Sequence, residues 1–402
     1  MNDFILKFNS VRNIVKPDKS GFTDFDAPFR QVVIQSTSFC NIDCRYCYLS
    51  KEGRNKKGIM PLGILELSIA RIFTSKLIEK SRNISFLWHA GEPMVAPISF
   101  YQNATNLINQ YKPQSIAFNQ TITTNGTLIN DDWCIFLIKN NIKLRISIDG
   151  PDFIHNKYRL TRTGKGTFHL VERGIQLLQK YGVEYSILTT ITHESLNHAK
   201  ELFDFFQGIK VKYVGLNFES ILGDNKKSTL DLDVIKSTTK TFISDFFELC
   251  KQNKHPFLVR EFHKILYLIL EEKDINLFPR ENSTPFSTLN IDISGNFSTF
   301  SPELLDVKND LYGGDFILGN IKTLSFDDAI ESFKLKAIEI DIKKGIDKCQ
   351  SNCSYFPVCG GGWPVYKLAE NGTFDSTETL RCQLQVQQVA DVLISNLTNK
   401  IQ

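Results

Sequence analysis

"RQVVIQSTSFCNIDCRYC", Arg30 to Cys47, joins a short β-branched run to three cysteines at Cys40, Cys44 and Cys47. The run has the length and Val/Ile content of a parallel strand buried on both faces. The cysteines follow it directly. In sheets of parallel strands linked by helices, ligands collect at the carboxyl ends of the strands, so this segment stands where chemistry is expected.

Working outward, five further runs carry the same strand signal: "NISFLW" (Asn83 to Trp88), "QTITT" (Gln120 to Thr124), "KLRISI" (Lys143 to Ile148), "EYSILTTI" (Glu184 to Ile191) and "KYVGLNF" (Lys212 to Phe218). Helix-like stretches separate them, among them "PLGILELSIARIFTSKLIEK" and "FHLVERGIQLLQKYG", the second stopped by Gly182. Six βα units predict an α/β fold, a parallel sheet open or curled into a partial (β/α)6 barrel of TIM-like kind. Residues 1–30 read as an N-terminal segment, 31–222 as the barrel, 223–285 as a helical bridge and 286–402 as a cysteine-rich extension.

Composition narrows the function classes. The 402 residues are 42% hydrophobic and 23% charged, enough for a large core. A formal net charge of +3 gives no case for nucleic acid or membrane as a partner. The run "KEGRNKKG" reads as a solvated loop. The start "MNDFILKFNSVRNIV" lacks a cationic stretch, an apolar core and a cleavage site, and no apolar run approaches the ~18 residues of a membrane span, so a cytoplasmic location is expected. Nine cysteines in a reducing compartment point to metal or redox chemistry rather than disulfides. Seven fall into two groups, Cys40/Cys44/Cys47 and Cys349/Cys353/Cys359/Cys382, while Cys134 and Cys250 sit in apolar helical patterns as small hydrophobes.

Three thiolates could hold zinc, but a structural zinc site wants four protein ligands and no usual partner spacing lies nearby. An iron–sulfur cubane also wants four, so three cysteines leave one iron open to a substrate or cofactor. CxxxCxxC with Tyr46 before the last cysteine resembles the signature of radical S-adenosylmethionine (SAM) enzymes, whose open iron is chelated by the amino and carboxylate groups of SAM. Other positions are similar to that family. "WHAGEP" (Trp88 to Pro93) resembles its GGEP motif, with Ala90 in place of the first glycine, and the resemblance puts Gly91, Glu92 and Pro93 at the methionyl amino group. "SIDGP" (Ser147 to Pro151) stands where the family contacts the ribose and methionine, with Ser147 and Asp149 as candidates. "TTNGT" (Thr123 to Thr127) ends the third strand. Each is also a turn former by composition. Arg159 is a candidate for the SAM carboxylate or for a surface ion pair, and His155 reads as structural. The resemblance implies a reduced [4Fe-4S] cluster that cleaves SAM to a 5′-deoxyadenosyl radical, with an electron donor such as flavodoxin or ferredoxin.

The second cysteine group resembles the SPASM extension of enzymes that modify peptides and proteins. In that family two auxiliary clusters occur. Here Phe300 and Trp363 stand where ligands of the first are expected, whereas Cys349, Cys353, Cys359 and Cys382 match the second. The resemblance therefore implies one auxiliary [4Fe-4S] cluster, with aromatics at the vacated site; a four-cysteine zinc ribbon is the alternative the ligand count allows. "VIQSTSFCNIDCRYCYL", "GLNFESILGDNKKS", "NFSTFSPELL" and "CGGGWPVYKLAENGTFDSTET" together resemble the maturases that install three-residue cyclophanes in ribosomally made precursor peptides. Those enzymes join an aromatic ring carbon to the β-carbon of a residue two positions later. Anaerobic sulfatase maturases, which make formylglycine, share the architecture; there an aspartate base follows the glycine-spaced cysteine, and here the position is Ser301. Glu303 is the nearest carboxylate and the candidate proton acceptor, ahead of Glu219 and Glu261, though an acid after Pro302 also suits a helix start. A non-catalytic scaffold would be expected to lose the triad, Glu92 or Asp149; all are present.

Overall fold

Val32, Val33 and Ile34 are buried on both faces of the strand Gln31–Ile34 (β1), as their apolar run requires. The computed structural model describes residues 28–230, 233–254, 256–270 and 282–398; all but three residues of the expected N-terminal segment, and residues 271–281 of the expected bridge, lie outside these. After β1 come Ile42–Cys44 (β2), Asn83–Trp88 (β3), Ala117–Thr124 (β4), Ile142–Ser147 (β5), Arg159–Thr161 (β6), Tyr185–Ile191 (β7) and Tyr213–Phe218 (β8). Leu258–Val259 (β9), Thr288–Ile291 (β10) and Asn296–Thr299 (β11) follow.

All six strands read from the sequence are present, and β1, β3, β4, β5, β7 and β8 are successive parallel neighbours. Two further parallel strands extend them. β9 pairs with β8 from within the stretch expected as a helical bridge, and β10 pairs with the free side of β1 from the start of the expected extension. β9, at two residues, is too short to carry a signal, and β10, "TLNI", interrupts its apolar run with Asn290. β11 then runs antiparallel to β10. The sheet curls around a central cavity, the partial barrel expected, with the helices on its outer face.

Packing behind the strand ends fixes the loops that carry the motifs. Trp88, fully buried, meets Tyr101 edge to face at 5.3 Å. The Tyr101 hydroxyl donates to Pro93 O at 2.6 Å, clamping the loop after β3, and shares a 2.9 Å bond with Ser36 Oγ in the loop after β1. The small ladder β2–β6 sets Cys44 opposite Arg159, so the cysteine loop is tied to the segment that follows β5. Helix Phe168–Tyr181 ends at Gly182 in the left-handed conformation, φ 70°, where its signal stopped. No helix among the described residues is long and apolar enough to cross a membrane.

Candidate active site

The loop from Thr37 to Cys47 and the loop after β3 approach so closely that a side chain between them is impossible. A Cβ on Gly91, whose φ is 63°, would stand 2.4 Å from Thr37 O and 2.7 Å from Phe39 O. Glycine is therefore required, and Glu92 N closes the contact by donating to Phe39 O at 2.8 Å. Ala90 shares the left-handed backbone, φ 72°, without glycine's freedom.

Glu92 is buried at the floor of this junction. Its Oε1 accepts from Met94 N (2.9 Å) and Thr124 Oγ1 (2.7 Å), and its Oε2 from Asn125 N (2.7 Å). Burial pushes its pKa up, and these three donors pull it back. Two carboxylate oxygens offer about four lone-pair sites, so an acceptor position remains open. Glu92 and the three thiols line one cavity of about 610 Å³.

Burial pushes the Cys40 thiol up to about 12 and raises those of Cys44 and Cys47; Arg159 opposes it at Cys44, and Arg54 at Cys47. The donors reaching the sulfurs are distant: Asn125 Nδ2 at 3.9 Å from Cys40 and Arg159 Nη1 at 3.8 Å from Cys44. The two buried arginines beside the sulfurs each have a carboxylate. Arg54 pairs with Asp43, and Arg159 Nε donates to Asp149 Oδ2 at 3.1 Å.

That pairing changes what two expected contacts can do. Arg159 is buried in the cavity wall, not on the surface, because β6 turns it inward against Cys44. Asp149 does not line the cavity; its carboxylate is taken by Arg159, by the Tyr46 hydroxyl and by Thr190 N (3.0 Å). It holds Tyr46 and Arg159 in place. His155 is structural, as read: its Nδ1 accepts from Asp149 N (3.3 Å), Nε2 meets Thr167 Oγ1 (3.0 Å), and burial lowers its pKa to about 4. Tyr46 lines the cavity with its ring stacked on Tyr158 at 5.6 Å, and Ser147 lines it at the end of β5. Pro93 is buried and opens the short turn after Glu92.

The second group lies on one long helix and two short ones. Cys349 is in the last turn of Phe333–Asn352, Cys353 caps it, Cys359 ends Phe356–Cys359, and Cys382 ends Leu380–Cys382. All four line a second cavity of about 330 Å³. Burial pushes the Cys359 thiol up to about 11 and raises Cys353 and Cys382. None of the nine cysteines is in a disulfide, and Cys134 and Cys250 are buried as expected.

Trp363, Tyr366 and Arg381 border both cavities, as does Cys359. Arg381 lies over the Tyr366 ring at 4.3 Å and the Trp363 ring at 5.5 Å, and Lys264 sits over Trp363 at 5.0 Å. Asn282, with its amide turned to satisfy both, donates to Phe300 O at 3.2 Å and accepts from Trp363 Nε1 at 2.5 Å. The two positions where aromatics replace expected ligands thus meet at one side chain. Glu303 lines the larger cavity and accepts from the Ser301 hydroxyl. Glu219 and Glu261 also line it but are engaged, Glu219 by Thr229 N (2.8 Å) and Glu261 by Leu216 N (2.8 Å) and Arg260 Nε (2.7 Å).

Do these residues fit the groups the sequence implies? A single tetrahedral ion needs donors converging at about 2.3 Å on one point, and among the described residues no three His, Cys, Asp or Glu side chains do so. Unlinked thiols spread around a cavity suit a body several atoms wide. Residues 34–206 match the family model of the radical SAM superfamily. That stretch belongs to the superfamily. An uncharacterized protein of Synechocystis is 38% identical to this radical SAM chain over 97% of it and 98% of the relative. The cysteine-type anaerobic sulfatase-maturating enzyme of Clostridium novyi is 29% identical over 85% of this chain and 90% of its own. Among solved structures, native anSMEcpe with bound AdoMet and Cp18Cys peptide superimposes with a TM-score of 0.74 at 24% identity, covering 92% of this chain and 99% of that one. Streptococcus suis SuiB bound to precursor peptide SuiA gives 0.60 at 19%, covering 95% and 80%. These two likenesses show the fold. Membership makes the chain a radical SAM enzyme and implies SAM and a [4Fe-4S] cluster.

Sequence reasoning missed several residues of the site. Tyr48 OH meets His89 Nε2 at 2.9 Å in the cavity wall, and burial, then the charge of Arg145, lowers the His89 pKa to about 4. The positions of Tyr48 after Cys47 and of His89 at the end of β3 were the available signals. Lys367 is buried beside Cys349, and its signal was a lysine on the apolar face of "PVYKLAEN".

Proposed function

We propose that this radical SAM enzyme matures a ribosomally made precursor peptide by joining an aromatic ring carbon to the β-carbon of a residue two positions later. The observation that carries the reading is the continuity of the larger cavity, which runs from Cys40, Cys44 and Cys47 past Glu303 to Trp363 and Cys359. One peptide segment could lie between the two thiol groups.

In this reading Cys40, Cys44 and Cys47 would hold the SAM-binding [4Fe-4S] cluster. The open acceptor position on Glu92 would take the SAM ammonium, a charge-assisted bond. Ser147, Tyr46 and Arg159 would border the rest of the cofactor. Bound there, the group supplies reductive cleavage of SAM and hydrogen-atom abstraction from an unactivated carbon. The chain's own residues orient the peptide, exclude water and move a proton. Glu303, held by the Ser301 hydroxyl, would take the proton released when the ring regains aromaticity. Cys349, Cys353, Cys359 and Cys382 would hold one auxiliary [4Fe-4S] cluster, fully ligated and so suited to taking the electron released in the same step. A flavodoxin or ferredoxin would supply the reducing electron. Support for a peptide substrate comes from SuiB and anSMEcpe, each solved with a peptide.

Formylglycine formation is the second reading, favoured by likeness to the Clostridium novyi enzyme. Ser301 at the position of that family's aspartate, and the aromatics Phe300 and Trp363, argue against it. Mass spectrometry of a co-expressed peptide from an adjacent aromatic-rich reading frame decides between them. Loss of two hydrogens with a ring-to-β-carbon crosslink is expected; an aldehyde at Cys or Ser would overturn the reading. In the same assay Glu303→Gln should slow crosslinking by about 10²- to 10⁴-fold while 5′-deoxyadenosine release continues.

A further inference from the structure

Lys367 Nζ lies 3.3 Å from Cys349 Sγ and donates to Gly345 O at 2.9 Å. The residue is 4% exposed. No carboxylate among the described residues lies within ion-pair reach of it. Burying an ammonium without an anion is costly, so its partner has to be the negative charge collected on the sulfurs. The space it occupies is built for it: a Cβ on Gly345 would stand 3.2 Å from Lys367 Nζ and 2.3 Å from Phe374 O. Two more N–H groups face this sulfur set, Gly361 N at 3.4 Å from Cys359 and Gln387 Nε2 at 3.6 Å from Cys382.

We propose that Lys367 raises the reduction potential of the cluster that Cys349, Cys353, Cys359 and Cys382 would hold, through a fixed positive charge and an N–H···S bond on the Cys349 sulfur. This rests on the reading above that those cysteines hold a [4Fe-4S] cluster. Reduction adds one electron and one unit of negative charge. A desolvated cation at a ligand sulfur stabilises the reduced form more than the oxidised one, and each N–H···S bond acts in the same direction. No bond is made or broken at Lys367. The electron comes from substrate oxidation during turnover, or from dithionite in the test. At the N-terminal triad Arg54 and Arg159 are neutralised by Asp43 and Asp149, Arg162 reaches a backbone oxygen and not a sulfur, and the donors to sulfur stand farther off, so the same device is absent there. The difference sets a direction: electrons leaving the substrate are drawn toward the C-terminal group.

The test is a mediator-buffered dithionite titration of the reconstituted full-length chain, followed by electron paramagnetic resonance, with the N-terminal cluster as internal reference. Lys367→Met should lower the reduction equilibrium constant of the C-terminal cluster at least tenfold, ~59 mV for one electron, and leave the N-terminal cluster unmoved. Lys367→Arg should stay within threefold of wild type. A Lys367→Met value within threefold of wild type overturns the proposal. Where Lys367→Met does not retain its cluster, Lys367→Gln is titrated against the same limits. Loss of the cluster from both variants makes the lysine an assembly counter-ion and overturns the potential-setting role. If the wild type itself holds one cluster, by iron content and spin count, and Cys382→Ala changes neither, the auxiliary-cluster reading has failed first and takes this inference with it.

Discussion

The two cysteine groups treat charge in opposite ways. Around Cys40, Cys44 and Cys47, the two buried arginines are each held by a carboxylate, Arg54 by Asp43 and Arg159 by Asp149, while Arg162 donates to the Cys40 carbonyl oxygen. Around Cys349, Cys353, Cys359 and Cys382, Lys367 is buried with sulfur and a carbonyl as its partners. The backbone differs too. The loop after Cys359 takes left-handed φ at Gly360, Gly361 and Gly362, each free of a Cβ, whereas the loop beside the triad carries Ala90 at φ 72°. The first group lines the larger cavity, of about 610 Å³; the second lines a pocket of about 330 Å³ that Trp363 and Tyr366 also border. In the proposed reading, a group that admits a charged cofactor keeps its local charges balanced, and one that only accepts an electron keeps a standing positive charge.

The comparison breaks most visibly under cysteine substitution. Cys47→Ala should abolish both 5′-deoxyadenosine release and crosslinking, whereas Cys382→Ala should preserve the first and lose the second; equal loss of both in each variant would erase the division of labour. Asp149→Asn makes the triad resemble the tetrad by leaving Arg159 unneutralised. Removing one partner of a buried pair costs about 3–5 kcal/mol, read as a lowered urea midpoint with unchanged slope.

Next is acid. His155 is fully buried and neutral, its pKa lowered to about 4 from an ordinary 6.5. Below 6.5 the unfolded chain binds a proton that the folded chain refuses, so stability falls as pH drops from about 6.5 to about 4. The loss approaches about 3 kcal/mol, and denaturant titrations at pH 7, 5 and 4 should show it flattened in His155→Gln. The smallest effect is expected at Ala90. Glycine there relieves a left-handed residue and should stabilise the apo chain by about 1 kcal/mol, seen as a rise of a few degrees in Tm; no rise would mean that the junction with the cysteine loop absorbs the strain.

The six long strands and both cysteine groups could be read from residue order because their signals are local: β-branched runs of four to eight residues and thiols spaced within one loop. Glu92 was legible through the resemblance of "WHAGEP" to the GGEP motif; the structure adds that Gly91 serves the close approach to Thr37 and Phe39. Asp149 and Arg159 were named as candidates, but not as partners of each other. Their pairing depends on the β2–β6 ladder, which joins segments more than a hundred residues apart. The Tyr48–His89 pair was missed because each position marks only its own loop, and the bond joins residues 41 apart in the chain.

What residue order determined alone, then, is the inventory: a parallel α/β sheet, three thiols after its first strand and four near its end. Only the tertiary structure decided that β10 returns to the free side of β1, that one cavity touches both thiol groups, and that Lys367 faces Cys349 across Gly345. Local propensity and spacing act over a few residues, whereas the company a buried charge keeps is set by contacts between distant segments, and those exist only once the chain has folded.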